Sequence, residues 1–411
     1  MGGIPPAVGV ESSATNVMKN DIIYLDHNAS TPCDRLVVDA MVPLLTSHHA
    51  NPSSHQHHSG QQASSLLSDA RHRVARSLGS NRASEITFTS GATEANNLVI
   101  KGLAESLRDR GRHFVSQVTE HPSVLEPLRY LERNGWQLTL LAVGRDGRIA
   151  LEQLAGALRP DTALVSLMLA TNETGTIQPV VEAAQLAREH GVPFHCDAAQ
   201  GVGKVAVDVN ALAVDFLTFS AHKVYGPKGI GGLYRRHHRP PIDIGPQLHG
   251  GGQEYGLRSG TPNVPAAVGL ARALEIAHSE WRPDSRRIGG FRDLLEHRIM
   301  GRLDGVTING AVDHRLPGTS NLSFAGVDGN ALLASLPDLA ISSGSACTSD
   351  HPEPSHVLRS MGVAVELAAA SVRISHGRTT TEGEIELAAE RIVEEVVRLR
   401  AMPRRGHPPR T

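Results

Sequence analysis

In SAHKVYGPKGIGG (residues 220–232) one lysine, Lys223, sits between a histidine and an apolar residue, just ahead of a glycine-rich run. An amine withdrawn from bulk water loses its proton more readily, and the neutral amine is the form that condenses with an aldehyde. Ser220 and His222 flank it as hydroxyl and imidazole donors. In PFHCDAAQGVGK, Asp197 stands in an otherwise small and apolar stretch, three residues before Gln200. A buried carboxylate needs a partner, either a protonated ring nitrogen on a ligand or a structural cation. TSGATEANN passes from strand to helix through Gly91, Ala92 and Thr93, where exposed N–H groups and the helix dipole favour an anion. The same letters also serve as an ordinary N-cap with Glu94 in the first turn. His121 in VTEHPSV either stacks on a planar ring, moves protons near neutral pH, or packs. Asn172, with Glu173 and Thr174 in LMLATNETGTIQPV, suits a ligand or a turn. No single stretch is specific. An anion cup, a histidine, a carboxylate and a lysine, in that order along the chain, form as a set a binding site for pyridoxal 5′-phosphate.

That order makes sense if strand ends bring the residues together. EITFTS reads as a strand ending at Ser90, followed by a helix in ATEANNLVIKGLAESLRDR. HFVSQ, QLTLLAV, TALVSLMLA, PFHCDAAQ and DFLTFSAH read as further strands, with SVLEPLRYLERNG and VVEAAQLAREHG as helices among them. Apolar strands separated by helices predict an α/β fold with a mainly parallel sheet sandwiched by helices, and such sheets collect ligands at their carboxyl ends. After RSGTPNVPAAVGLARALEIAHSEW the pattern shifts to shorter strands, which predicts a smaller α+β domain. The expected organisation is a disordered leader over 1–20 and a large domain over 33–280. The small domain combines 21–32 with 281–400, and 401–411 form a tail.

Bulk properties exclude several classes. A formal net charge of −2 over 411 residues leaves no electrostatic footprint for nucleic acid or an anionic membrane. No apolar run approaches the roughly 18 residues that span a bilayer. Three cysteines, Cys33, Cys196 and Cys347, make no disulfide framework, which points to a reducing cytoplasm. The histidines of NPSSHQHHSG (His55, His57, His58) and the pair His237–His238 lack the acidic or thiolate partners of a metal site, so no metal is expected.

Cys347 lies in SSGSACTSDHPEPSHVLRSMG, a polar, glycine- and serine-rich loop. A free cysteine is ordinarily a small buried hydrophobe; these neighbours instead favour an exposed nucleophile. With this stretch added, the sequence resembles the cysteine desulfurases, within the class V aminotransferases of PLP fold type I. The resemblance runs from YLDHNASTP at Tyr24 to RISHGRTTTEGEI near the C-terminus, through NPSS, TSGATEANN, TEHPSV, NETG, DAAQ, SAHKVYGPKG, GGGQE, RSGTPNV and SSGSACTS. It implies that Lys223 holds the cofactor's aldehyde, Asp197 its ring nitrogen and Gln200 its ring hydroxyl, with His121 stacked on the ring. Ala92, Thr93, Ser220 and His222 would hold the phosphate. Thr261 corresponds to a phosphate contact made across a homodimer interface, and Arg373, assisted by Asn172, to the clamp on the substrate carboxylate. The substrate implied is L-cysteine: Lys223 takes its α proton, Cys347 takes its sulfur as a persulfide, and alanine leaves. His121 is the implied acid or base toward the substrate thiol.

The loop after Cys347 has the longer form that the resemblance associates with delivery of sulfur to an acceptor or scaffold protein. Iron–sulfur assembly, tRNA thiolation, thiocofactor synthesis and DNA phosphorothioation all begin with such a persulfide. Three other readings share many of these residues: a selenocysteine lyase, a class V aminotransferase without persulfide chemistry, and a scaffold-binding module that has lost catalysis. Two features depart from the family pattern, namely His376 after RIS and the histidine-rich loop after NPSS.

Overall fold

The computed structural model describes residues 22–107, 111–238, 242–343 and 354–402. The chain begins with β1 (Ile23–Tyr24), α1 (Arg35–Thr46), α2 (His58–Ser77), β2 (Ile86–Thr89), α3 (Ala92–Ser106), β3 (His113–Gln117), α4 (Pro122–Arg133) and β4 (Gln137–Leu141). It continues through α5 (Leu151–Ala157), β5 (Thr162–Met168), α6 (Val180–Glu189), β6 (Phe194–Asp197), β7 (Phe216–Ser220), β8 (Gly231–Arg235) and α7 (Val264–Met300). The C-terminal part holds β9 (Val306–Ile308), β10 (Thr319–Phe324), α8 (Gly329–Ser335), β11 (Leu339–Ala340), α9 (His356–Ser360), α10 (Val365–Ala369), β12 (Ser371–Ser375) and α11 (Glu382–Ala401).

The central sheet has seven strands in the order β2-β8-β7-β6-β5-β3-β4. Only β8 runs against its neighbours, and the pairs from β7 through β4 are all parallel. Every residue of β5 and β6 is buried, as a strand covered on both faces requires. This is the mainly parallel α/β sheet that the alternation of apolar strands and helices predicts. What the sequence reading did not separate is β8, which hides in the glycine-rich run after Lys223. Its glycines are required by close approach. A Cβ on Gly231 would lie 2.4 Å from the Phe219 carbonyl and 2.7 Å from the Cα of Gly91, and one on Gly232 would lie 2.6 Å from the Phe219 ring. Those contacts let β8 wedge between β7 and β2, which sets the Gly91 turn beside the end of β7.

A second, antiparallel sheet of order β12-β10-β9 carries its own core of Leu322, Phe324, Val372 and Ile374 against Ile385, Ile392 and Val396 of α11. The short β1 pairs in parallel with β11 beside it. The expectation of a smaller α+β unit is met. The helix joining the two units is continuous, however: α7 runs 37 residues, through Pro283 and through the boundary expected at 280. Its first half buries Ala266, Leu270 and Leu274 in the core beside the large sheet, and its second half buries Leu295 and Ile299 in the second core. At 1.5 Å per residue the helix is about 55 Å long, enough to serve both. No helix among the described residues is long and apolar enough to cross a membrane.

Candidate active site

At the carboxyl ends of β5, β6 and β7, beneath the start of α3, lies a cavity of about 570 Å³. Ala92, Thr93, His121, Asn172, Asp197, Gln200, Ser220, His222, Lys223 and Arg373 all line it. Of the expected residues that the structure describes, only Thr261 does not. Thr261 is exposed between the loop at Gly260 and the N-cap of α7. Cys347 lies outside the described residues.

Each side chain is set by its element. Asp197 ends β6, where its Oδ1 accepts the Ala199 N–H at 3.0 Å and its Oδ2 accepts from Asn96 Nδ2 at 2.8 Å. The same Asn96 nitrogen donates to Ser123 Oγ at 2.9 Å, and Thr218 Oγ1 donates to Asn96 Oδ1 at 2.5 Å. His121 is the N-cap of α4, its Nδ1 accepting the Ser123 N–H at 3.1 Å and lying 2.8 Å from Ser123 Oγ. An Nδ1 that accepts must be unprotonated, so the neutral ring carries its proton on Nε2. Burial holds the imidazole below its ordinary pKa; Lys223 and His356 push the same way and Asp197 opposes them. His121, expected on the ring face, and Asp197, expected at the ring nitrogen, are thus tied together through Ser123 and Asn96.

Lys223 follows β7 in a single 3-10 turn, and its Nζ donates to the Asn28 and Ala29 carbonyls at 2.5 and 2.8 Å. His222 is kept neutral, its pKa pulled to about 4 by burial and by the charges of Lys223, Lys228 and Lys204. No side chain caps the first turn of α3, and a methyl group at Gly91 would sit 3.7 Å from Ser220 Oγ. The cradle therefore combines uncapped helix N–H groups, small residues and a nearby hydroxyl, which suits an anion.

Arg373 on β12 brings the smaller sheet into the cavity. Its Nη2 contacts Asp26 Oδ1 at 2.6 Å and its Nη1 donates to the Asn172 carbonyl at 3.1 Å. Asn172 thus supports the guanidinium through its backbone. His376 Nε2 meets the Ile288 carbonyl at 3.0 Å, and burial holds its pKa at about 4. His57, one of the histidines weighed for metal, caps α2 by accepting from the Gly60 N–H.

The Aminotransferase class-V family matches residues 23–387. The chain belongs to that family. It is 46% identical over 380 residues to a protein named cysteine desulfurase IscS from Anaeromyxobacter dehalogenans (strain 2CP-C), a match covering 92% of this chain and 94% of the relative. A solved structure described as a NifS-like protein superposes with a TM-score of 0.86 at 37% identity, covering 92% of this chain and all of that one. Another, described as SspA in complex with cysteine, gives a TM-score of 0.77 at 37% identity over 87% of this chain and 99% of its own. Within the class-V family the chain therefore groups with the cysteine desulfurases, and its cofactor is pyridoxal 5′-phosphate.

The cavity fits that group on its own terms. A buried carboxylate, a lysine amine and an uncapped helix N-terminus line one cavity, the set of groups that a ring nitrogen, an aldehyde and a phosphate call for. Sequence reasoning missed the residues that hold these in place. Asn28, Asn96 and Ser123 lie inside the quoted motifs, yet nothing in their local spacing marks them. Ser355, whose Oγ donates to the buried Glu173 Oε2, was likewise unmarked.

Proposed function

We propose that the chain converts L-cysteine to L-alanine, with the sulfur retained on Cys347 as a persulfide for an acceptor protein. The observation that carries this reading is the convergence of Lys223, Asp197, His121, the α3 N-terminus and Arg373 on one cavity, in a chain that groups with the cysteine desulfurases. Bound there, pyridoxal 5′-phosphate supplies an aldehyde for the substrate amine and a ring that spreads the negative charge left when the α proton departs. Every other task falls to the protein.

Asp197, braced by Asn96, would hold the cofactor's ring nitrogen. Gln200 would donate toward the ring oxygen, and the His121 ring would cover one face. Ala92, Thr93, Ser220 and His222 would hold the phosphate. Arg373 takes the substrate carboxylate through guanidinium hydrogens not directed at Asp26 or Asn172, and the Asn172 side chain adds a further contact. Once released as an amine, Lys223 receives the α proton. His121, protonated on Nε2, serves as acid or base toward the substrate thiol. The Cys347 thiolate attacks the substrate sulfur, and the Cβ–S bond breaks with its electron pair left on carbon. Protonation of that carbon and of Cα completes alanine.

Thr261, exposed on this protomer, serves the phosphate of a second copy, which makes the working unit a homodimer. The acceptor is a protein of the reducing cytoplasm, such as an iron–sulfur assembly scaffold. The test is alanine and sulfide release from L-cysteine in the presence of a reductant, wild type against Cys347→Ser. The expected result is that wild type releases both products and the variant neither, while both show the same bound-cofactor absorbance. A variant that keeps releasing sulfide would remove Cys347 from the reaction and favour a lyase or an aminotransferase.

A further inference from the structure

Lys204 closes the stretch PFHCDAAQGVGK and has no role assigned above, yet it touches two of the cavity's amides at once. It follows Gln200 by four residues in the turns after β6, and its backbone carbonyl accepts from Ser285 Oγ of α7 at 2.8 Å. Its Nζ donates to Gln200 Oε1 at 2.7 Å and to Asn28 Oδ1 at 3.0 Å. An ammonium has only donors, so an amide that meets it must present oxygen. The nitrogens of both amides are thereby turned the other way. Gln200 Nε2 donates to the Asn28 carbonyl at 2.8 Å, and Asn28 Nδ2 donates to Thr319 Oγ1 at 3.0 Å and to the Asn172 carbonyl at 3.2 Å. The Asn28 carbonyl so held is the one that Lys223 Nζ contacts. One amine meets both amide oxygens, and the Asn28 backbone carbonyl that the Gln200 amide holds is in turn a contact of the Lys223 amine.

Resting on the desulfurase reading of this cavity, we propose that Lys204 is a positioning residue. It locks the Gln200 amide with its N–H toward the cofactor's ring oxygen, and it locks Asn28 with its carbonyl at the Lys223 amine. Among the described residues Lys204 makes no ion pair; around it lie Lys223, Arg373, His27 and His222, and Asp284 lines the same small adjoining cavity. Burial and the charges of Lys223 and Arg373 pull its pKa down to about 7. A buried amine whose contacts are two amide oxygens is accounted for by what it orients.

The test compares wild type with Lys204→Met, Gln200→Leu and the double variant, with Lys204→Arg as the conservative replacement. In the holoenzyme the rate of cofactor release is read by absorbance after dilution. Lys204→Met and Gln200→Leu are each expected to speed release about tenfold, with the double variant no faster than either. Lys204→Arg is expected to restore at least part of the loss. In the cofactor-free protein, the pH dependence of Lys223 acylation is read by peptide mass. Its midpoint is expected to fall by about one unit in Lys204→Met, because the Asn28 carbonyl that accepts from the charged amine is no longer fixed. The acylation readout holds whether or not the cofactor reading survives, and failure of wild type to take up the cofactor would sink that reading separately. Multiplicative effects in the double variant, or lowered thermal stability with unchanged release and acylation, would overturn the proposal.

Discussion

Tyr225, two residues past Lys223, holds a left-handed backbone at φ +62°, a conformation that costs a non-glycine residue about 1–2 kcal/mol. The fold over-determines it. Its N–H donates to Thr31 Oγ1 at 2.8 Å, and its carbonyl accepts from Asp34 N at 2.9 Å. Its phenol oxygen accepts from the Arg378 N–H at 2.6 Å, and the Arg378 guanidinium lies 4.4 Å above the ring centroid. Arg378 is in turn held by Asp284 and Asp34. The Lys223 turn of the large sheet is therefore clamped to the segment following Arg373 on the smaller one. Three replacements separate the contributions. Tyr225→Phe leaves the Arg378 N–H without its acceptor and is expected to destabilise by about 1–2 kcal/mol. Tyr225→Ala also removes the ring and its cation–π contact, for roughly 2–4 kcal/mol in all. Tyr225→Gly loses the same contacts but relieves the backbone, so it is expected to be about 1 kcal/mol more stable than the alanine variant. Urea unfolding of the cofactor-free chain measures these differences, and cofactor release from the holoenzyme is expected to quicken in the same order. An alanine variant as stable as the glycine one would refute the strain argument. A phenylalanine variant indistinguishable from wild type would refute the clamp.

Glu254 meets Arg71 through two contacts of 2.5 and 2.7 Å and also accepts from the Phe88 N–H of β2 at 2.8 Å, all of it buried. Glu254→Leu leaves that arginine uncompensated and is expected to lower stability by about 3–5 kcal/mol in urea unfolding; an unchanged midpoint would contradict the assignment. His195 is fully buried between Ser166 Oγ and Thr218 Oγ1, and burial depresses its pKa to about 4. The unfolded chain binds that proton from about pH 6.5 downward and the folded chain does not, so stability falls as pH drops from 6.5 toward 4, by about 3 kcal/mol from this group. His195→Gln should flatten that acid limb by a comparable amount, and parallel pH profiles would count against the depressed value. Arg373→Lys replaces a planar fork with a point charge that cannot serve Asp26, the Asn172 carbonyl and a substrate carboxylate together. KM for L-cysteine is expected to rise roughly 10- to 100-fold with a smaller effect on kcat, and a KM within twofold of wild type would remove Arg373 from carboxylate binding.

The strands and most of the site were legible because their signals are local. A run such as TALVSLM is apolar at every position, and a turn such as TSGATEANN states its helix start within a few residues. Lys223 and Asp197 stand out because each is a chemically costly residue in an apolar or cramped setting, whereas His121 gained its role only from the family resemblance. β8 escaped because its glycines answer to contacts with Phe219 and Gly91, neither of which is adjacent in sequence. The same reason hides the residues that position the reactive groups. Asn96 reaches Asp197 across 101 positions, and the Asn28 N–H reaches Ser375 Oγ across 347. An asparagine carries no charge and little hydrophobic signal, so its sequence neighbourhood does not reveal whether its amide faces solvent or a buried carboxylate. The reactive groups could be read from their own chemistry. Their orientation depends on Asn28, Asn96, Ser123 and Lys204, and it became legible only once the strand ends had brought those residues to the same cavity.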